Sequence, residues 1–164
     1  MDLTIGVDAL AGAEGVLGYA LVFVLAAIPV VEVLVVVPAG VAVGLNPPLV
    51  ALAAFAGNLA TVLLVLAGSD RALAFVRRRF GSSDDAEPSK RVRRAKRLWR
   101  QYGTAGLALA APITTGAHLA AVLALSLGSK RRAVATWMAT SLLAWTAALA
   151  TVSVYGVDSL RGLL

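Results

Sequence analysis

Cysteine is absent from the 164 residues, which excludes disulfides, thiolate metal sites and cysteine nucleophiles and leaves the redox compartment open. Charge is scarce: 15% of residues are Asp, Glu, Lys or Arg against 59% hydrophobic, and the mean hydropathy is +0.83. A water-soluble domain of this size has no interior large enough to hide that much apolar surface, so the composition points to a membrane protein. No Lys or Arg precedes Arg71, whereas Asp2, Asp8 and Glu14 do stand there. The N-terminus thus lacks the basic flank of a cleaved signal peptide, and the mature chain is expected to begin near Met1. Also missing are a phosphate-binding glycine loop, paired metal-ligand spacing and a credible Ser/His/Asp arrangement. The sequence therefore reads as a non-enzyme, with no metal and no cofactor.

What is present is four apolar blocks, residues 16–45, 47–67, 104–128 and 133–155. The intervening segment 68–103 carries eleven basic residues against four acids, a net +7 that accounts for the whole chain's +6. Such an excess beside apolar blocks marks the cytoplasmic side, because Lys and Arg near membrane ends resist translocation. Within it, residues 81–85 read as a flexible break and Pro88-Ser89 as a helix start. From there Val92, Ala95, Leu98 or Trp99, and Tyr102 recur at helical spacing, with Arg91, Arg93, Arg94, Lys96, Arg97 and Arg100 between them. That pattern is an amphipathic interfacial helix, drawn to anionic lipid by about 1 kcal/mol per basic residue near the surface. Positive-inside bias accounts for the charge, so nucleic acid is not an expected partner.

A second basic cluster, Ser129-Lys130-Arg131-Arg132, follows block 104–128. A single crossing by that block would put its two basic flanks on opposite sides. A re-entrant segment removes the conflict, turning near the midplane at Pro112, Thr114, Thr115 and Gly116. Block 16–45 invites the same reading, since 30 residues of helix measure about 45 Å against a core of about 30 Å. Pro29 and Pro38 are expected to bracket its turn, with Glu32 between them. Blocks 47–67 and 133–155 are then the full crossings.

Sliding the chain by 83 residues superposes Tyr19 on Tyr102, Pro29 on Pro112, Asn46 on Ser129 and Asn58 on Ser141. The expected fold is a single all-α integral membrane domain over residues 1–164. It is an inverted repeat of two re-entrant helical hairpins each followed by a transmembrane helix, 16–67 and 104–155, joined by the basic connector 68–103.

Five polar residues of the apolar blocks are candidates for a substrate or proton pathway. An ionised Glu32 at bilayer depth would cost at least about 2.5 to 3.5 kcal/mol, and escapes by protonation, pairing or a water-filled cavity. The alternative places Glu32 at the headgroups or capping the arm after Pro29. His118, the only histidine, is a proton-carrying residue type, or else a ring bonded to a neighbouring carbonyl. Thr114 and Thr115 offer hydroxyls to a ligand or to backbone groups freed by Pro112, and Asn58 bridges helices or meets a ligand.

The run Ala27-Ile28-Pro29-Val30-Val31-Glu32, continuing to Pro38-Ala39-Gly40 and Gly44-Leu45-Asn46-Pro47-Pro48, resembles the small multidrug export protein family. The second half agrees through Tyr102-Gly103 and Pro112-Ile113-Thr114-Thr115-Gly116-Ala117. Where that family carries Glu-Leu-Arg-Gly, this chain has Glu32-Val33-Leu34-Val35, so the motif's arginine is missing. The resemblance implies export of a small or amphipathic molecule, and a distant similarity to DedA membrane proteins implies a lipid or lipid-carrier flippase or scramblase instead. A non-transporting scaffold is the third reading. The expected setting is the cytoplasmic membrane of a prokaryote, with membrane lipids and a small-molecule or lipid substrate as partners. A homo-oligomer is expected, because two crossings and two hairpins barely enclose a polar cavity.

Single cysteines at Ser83 and Ser129 are predicted to label from the same, cytoplasmic side. Labelling of one from outside intact cells and of the other only after lysis, with a membrane-impermeant thiol reagent, would replace the re-entrant reading with ordinary spans.

Overall fold

A computed structural model describes residues 15–28, 32–68 and 90–161, and among these there are six helices and no strand. They are α1 (Val16–Ala27), α2 (Glu32–Ala42), α3 (Pro47–Ala67), α4 (Lys90–Thr114), α5 (Ala117–Ser126) and α6 (Arg131–Arg161). Pro29, the break at 81–85 and Ser83 lie outside the described residues.

Helix lengths sort the elements into two kinds. α3, with 21 residues, and the stretch Arg131–Gly156 of α6, with 26, are long and apolar enough to cross a bilayer. At about 1.5 Å per residue they measure about 31 and 39 Å. α1, α2 and α5, of 12, 11 and 10 residues, reach only about 15–18 Å, half a hydrocarbon core. α1 packs on α2 and α4 on α5, so each apolar block that is too long or wrongly flanked for one crossing folds as a pair of helices.

Pro38 does not mark a turn. It lies inside α2, which runs from Glu32 to Ala42. The reason is the cost of unwinding in apolar surroundings: a helical proline forfeits one backbone hydrogen bond, whereas a turn would forfeit several. Pro112 also sits within a helix, two residues before the end of α4.

α4 is two arms rather than one rod. At Gly103 the backbone adopts φ 64°, ψ −157°, a region that only glycine enters cheaply. Residues 90–102 form the basic amphipathic arm and residues 104–114 the apolar arm.

The ends of α2 and α5 are closed alike. Gly44 donates to the Val41 carbonyl at 3.0 Å and Leu45 to Gly40 at 3.1 Å, while Gly128 donates to Leu125 and Ser129 to Ala124, both at 3.0 Å. This Schellman pattern satisfies carbonyls that would otherwise be orphaned at a helix end.

The described chain forms two compact units, one running to Ala60 and resuming at Leu142, the other Thr61–Ser141. In the first, Val22, Ala26, Val33, Val36, Val37, Val50 and Ala54 are buried. α1 and α3 approach so closely there that a Cβ on Gly57 would fall on the backbone carbonyl of Phe23. In the second, Leu107, Ala108, Ala111, Ala120, Ala121, Val134 and Met138 are buried.

Gly57→Ala is expected to lower the unfolding midpoint of the purified protein in mixed detergent micelles by the equivalent of about 1–3 kcal/mol, the usual cost of overpacking. Gly156→Ala, in a helical position with nothing within 4 Å of the added carbon, should be neutral or slightly stabilising. Equal midpoints for the two variants would contradict the close approach at Phe23.

Candidate functional site

The expected site residues fall in both units. In the second, the break between α4 and α5 gathers Thr114, Thr115, Gly116 and His118. Gly116 adopts φ 85°, which separates the two helices and stops the α-helical ladder. Backbone groups released by the break are re-bonded locally, since Thr115 and Gly116 both donate to the Ala111 carbonyl, at 3.1 and 2.8 Å. The Thr114 hydroxyl donates to the Ala110 carbonyl at 2.7 Å. Thr115 and His118 are buried, and the Thr115 hydroxyl has a long contact of 3.4 Å to the Gly116 carbonyl. Thr114 is therefore engaged by its own helix, and Thr115 and His118 are the buried polar side chains of the break.

Pro112 creates a further vacancy in the ladder, which the sequence alone does not show to be filled. Without an N–H, Pro112 cannot donate to the carbonyl four residues back, that of Ala108. The hydroxyl of Ser141, on α6, donates to that carbonyl at 2.7 Å. Ser141 is buried, so a hydroxyl on one helix substitutes for the amide that the proline removed from another. The usable signal in the sequence is the pairing of Ser141 with Asn58 under the 83-residue shift.

In the first unit Glu32 is the first residue of α2. Asn58, in the middle of α3, has 0% of its surface exposed, and neither atom of its amide finds a hydrogen-bond partner among the described residues. Leu25, which the same shift aligns with Ala108, already accepts the Ile28 N–H at 3.1 Å. Asn58 and Ser141 thus occupy corresponding places in the sequence but differ in their bonding: Ser141 repairs a helix, and the buried Asn58 amide has no hydrogen-bond partner among the described residues.

The basic arm of α4 turns Val92 and Ala95 inward and Arg93, Arg94, Lys96, Arg97 and Arg100 outward. For Arg91 only the helical backbone is described. Sequence reasoning misses how this arm is fastened: the Trp99 indole donates to the Ser129 hydroxyl at 2.8 Å, and that hydroxyl shares a 2.7 Å hydrogen bond with Thr104. The node brackets Gly103 and ties both arms of α4 to the turn before α6. A related link stands in the first unit, where the Asn46 N–H donates to the Tyr19 hydroxyl at 3.1 Å.

Residues 32–148 match the family described as "Putative small multi-drug export protein". The chain belongs to that family. The match starts at Glu32 and takes in α2 to α5 and more than half of α6, so residues 27–31, which carry part of the resemblance, lie before it. No curated protein and no solved structure matches the chain. Membership of an export family, together with two helices of crossing length, makes this a membrane protein whose family is one of transporters.

Ser141→Ala should lower the detergent unfolding midpoint by the equivalent of about 0.6–1.7 kcal/mol, the range of interhelical hydrogen bonds in membrane proteins. Repeating it in a Pro112→Ala background, where the restored N–H can reach Ala108, should remove most of that cost. An undiminished cost in the double variant would show that Ser141 does not compensate for the proline.

Proposed function

We propose that this exporter-family protein is a proton-coupled secondary transporter of small or amphipathic molecules, working as an inverted repeat of two re-entrant hairpins. The observation that carries the reading is the helix break at Thr115–Gly116, with buried Thr115 and His118 beside it, in a largely apolar block. Broken helices at bilayer depth are how secondary transporters present polar groups and helix ends to a substrate. The matching closures of α2 and α5, and the alignment of Asn46 with Ser129 at the two side-chain links, support the repeat. The beginning of α3 and the last turns of α6 line a common groove through Pro47, Pro48, Ala51, Ala150 and Val154, which puts opposite ends of the two crossing-length helices together and supports opposed directions for them.

In this reading Glu32 is the proton carrier. At bilayer depth its ionised form is costly and its neutral form is tolerated, so loading and release of a proton changes the stability of the first hairpin in one position relative to another. Asn58, whose amide has no partner among the described residues, and His118 with Thr114 and Thr115 are the pathway groups. The working orientation has the basic connector in the cytoplasm of a prokaryote and the protein in its cytoplasmic membrane, assembled as a homo-oligomer that encloses the polar path. The exposed basic face of α4 favours a second reading, a DedA-like lipid or lipid-carrier flippase, since cations at a membrane surface attract anionic headgroups.

Reconstitution into liposomes, with parallel assays of gradient-driven uptake of a cationic dye and of lipid flipping, separates the two. Glu32→Gln, which imitates the protonated side chain, is expected to insert normally and to lose gradient-driven transport by about tenfold or more. Wild-type rates in Glu32→Gln, with an unchanged dependence on the pH gradient, would remove Glu32 from the mechanism. Activity of the unaltered protein in neither assay would leave the scaffold reading.

A further inference from the structure

The basic arm of α4 holds a groove as well as a charge. A cavity of about 500 Å³ is lined by Arg93, Lys96, Arg97, Arg100 and Gln101. The four cations stand at i, i+3, i+4 and i+7, one face of a single helix, and Gln101 adds an amide donor at its edge. Residues 90–102 contain seven basic residues and no acid.

Three features determine which anion reaches the groove. The opposite face of the arm is buried through Val92 and Ala95, so the groove faces outward. Gly103 turns the chain directly from this arm into the apolar residues 104–114, which places the groove at the mouth of a membrane element. The Trp99–Ser129–Thr104 node sets the bend, and Tyr102 beside it is exposed, an aromatic of the kind that settles at headgroup level.

We propose that this groove is a discrete binding site for the headgroup of a membrane lipid carrying two negative charges. Arginine supplies paired donors that fit phosphate oxygens, and lysine supplies a point charge. Four such groups on one face favour a phosphate monoester, with a charge between about −1.5 and −2 near neutral pH, over a singly charged diester. The site is distinct from the transport path and does not depend on transport. Its role is to hold the interfacial arm at the surface with its bend fixed, the bound headgroup and the Ser129 node restraining the arm from its two sides.

The test uses the full-length protein in neutral detergent micelles, with short-chain phosphatidic acid and short-chain phosphatidylglycerol as probes at one fixed physiological salt concentration. Phosphatidic acid is expected to bind about tenfold more tightly than phosphatidylglycerol. Arg93→Gln combined with Arg97→Gln should weaken phosphatidic acid by about thirtyfold, the effect of two basic residues close to an anionic surface. The control pair Lys90→Gln and Arg94→Gln, exposed cations of the same arm outside the groove lining, should change it by less than about threefold. Equal losses in the two pairs would mean diffuse charge rather than a site, and equal affinity for the two lipids would remove the divalent headgroup. Displacement of the lipid by millimolar inorganic phosphate, or by a single-stranded DNA oligonucleotide, would reassign the groove to a soluble anion or to nucleic acid and overturn the proposal.

Discussion

Satisfying backbone polar groups without water is the constraint on which the rest of this structure depends. In hydrocarbon an unpaired N–H or C=O costs several kcal/mol, so a membrane chain can stop or bend a helix only where another group replaces the lost bond. The turns after α2 and α5 and the break at Gly116 follow that rule. The turns after α2 and α5 are closed by amide donors folding back onto the preceding helix, and Gly116 returns its N–H to Ala111. Where Pro112 removes a donor, the replacement comes from the hydroxyl of Ser141.

The same constraint explains why so few polar side chains remain for other work. Thr114, Ser126, Thr140, Thr146, Thr151 and Ser153 all donate to carbonyls of their own helices, three or four residues back. In lipid that bond hides a hydroxyl at little cost. Asn58 departs from this economy. A primary amide has two donors and an acceptor, more than a helix can absorb, and its burial with neither atom bonded among the described residues marks it as a group that needs an explanation beyond packing.

The bend at Gly103 gives α4 two physical characters. One arm is amphipathic and basic, the other apolar, and the conformation of a single glycine joins them. Trp99, Ser129 and Thr104 fasten the bend through two part-buried hydrogen bonds, which a large change of angle would break.

Features written in neighbouring residues are legible in the sequence by itself. Apolar block lengths, the basic excess of 68–103 and the basic turn at Ser129-Lys130-Arg131-Arg132 specify a helical membrane protein with two crossing-length helices, because hydropathy and charge act through sequence-local sums. The break near Gly116 is legible too, since glycine and proline change the backbone where they stand. Pro38 misleads, because a proline reports a lost hydrogen bond but not whether losing the whole helix would cost more. Only the tertiary structure decides that Ser141 meets Ala108 across 33 residues, that Trp99 meets Ser129 across 30, and that Gly57 lies against Phe23. Those pairings depend on how each helix is rotated about its axis. Surfaces made almost entirely of Ala, Leu and Val admit many such rotations in sequence, and close packing with a few interhelical hydrogen bonds selects one.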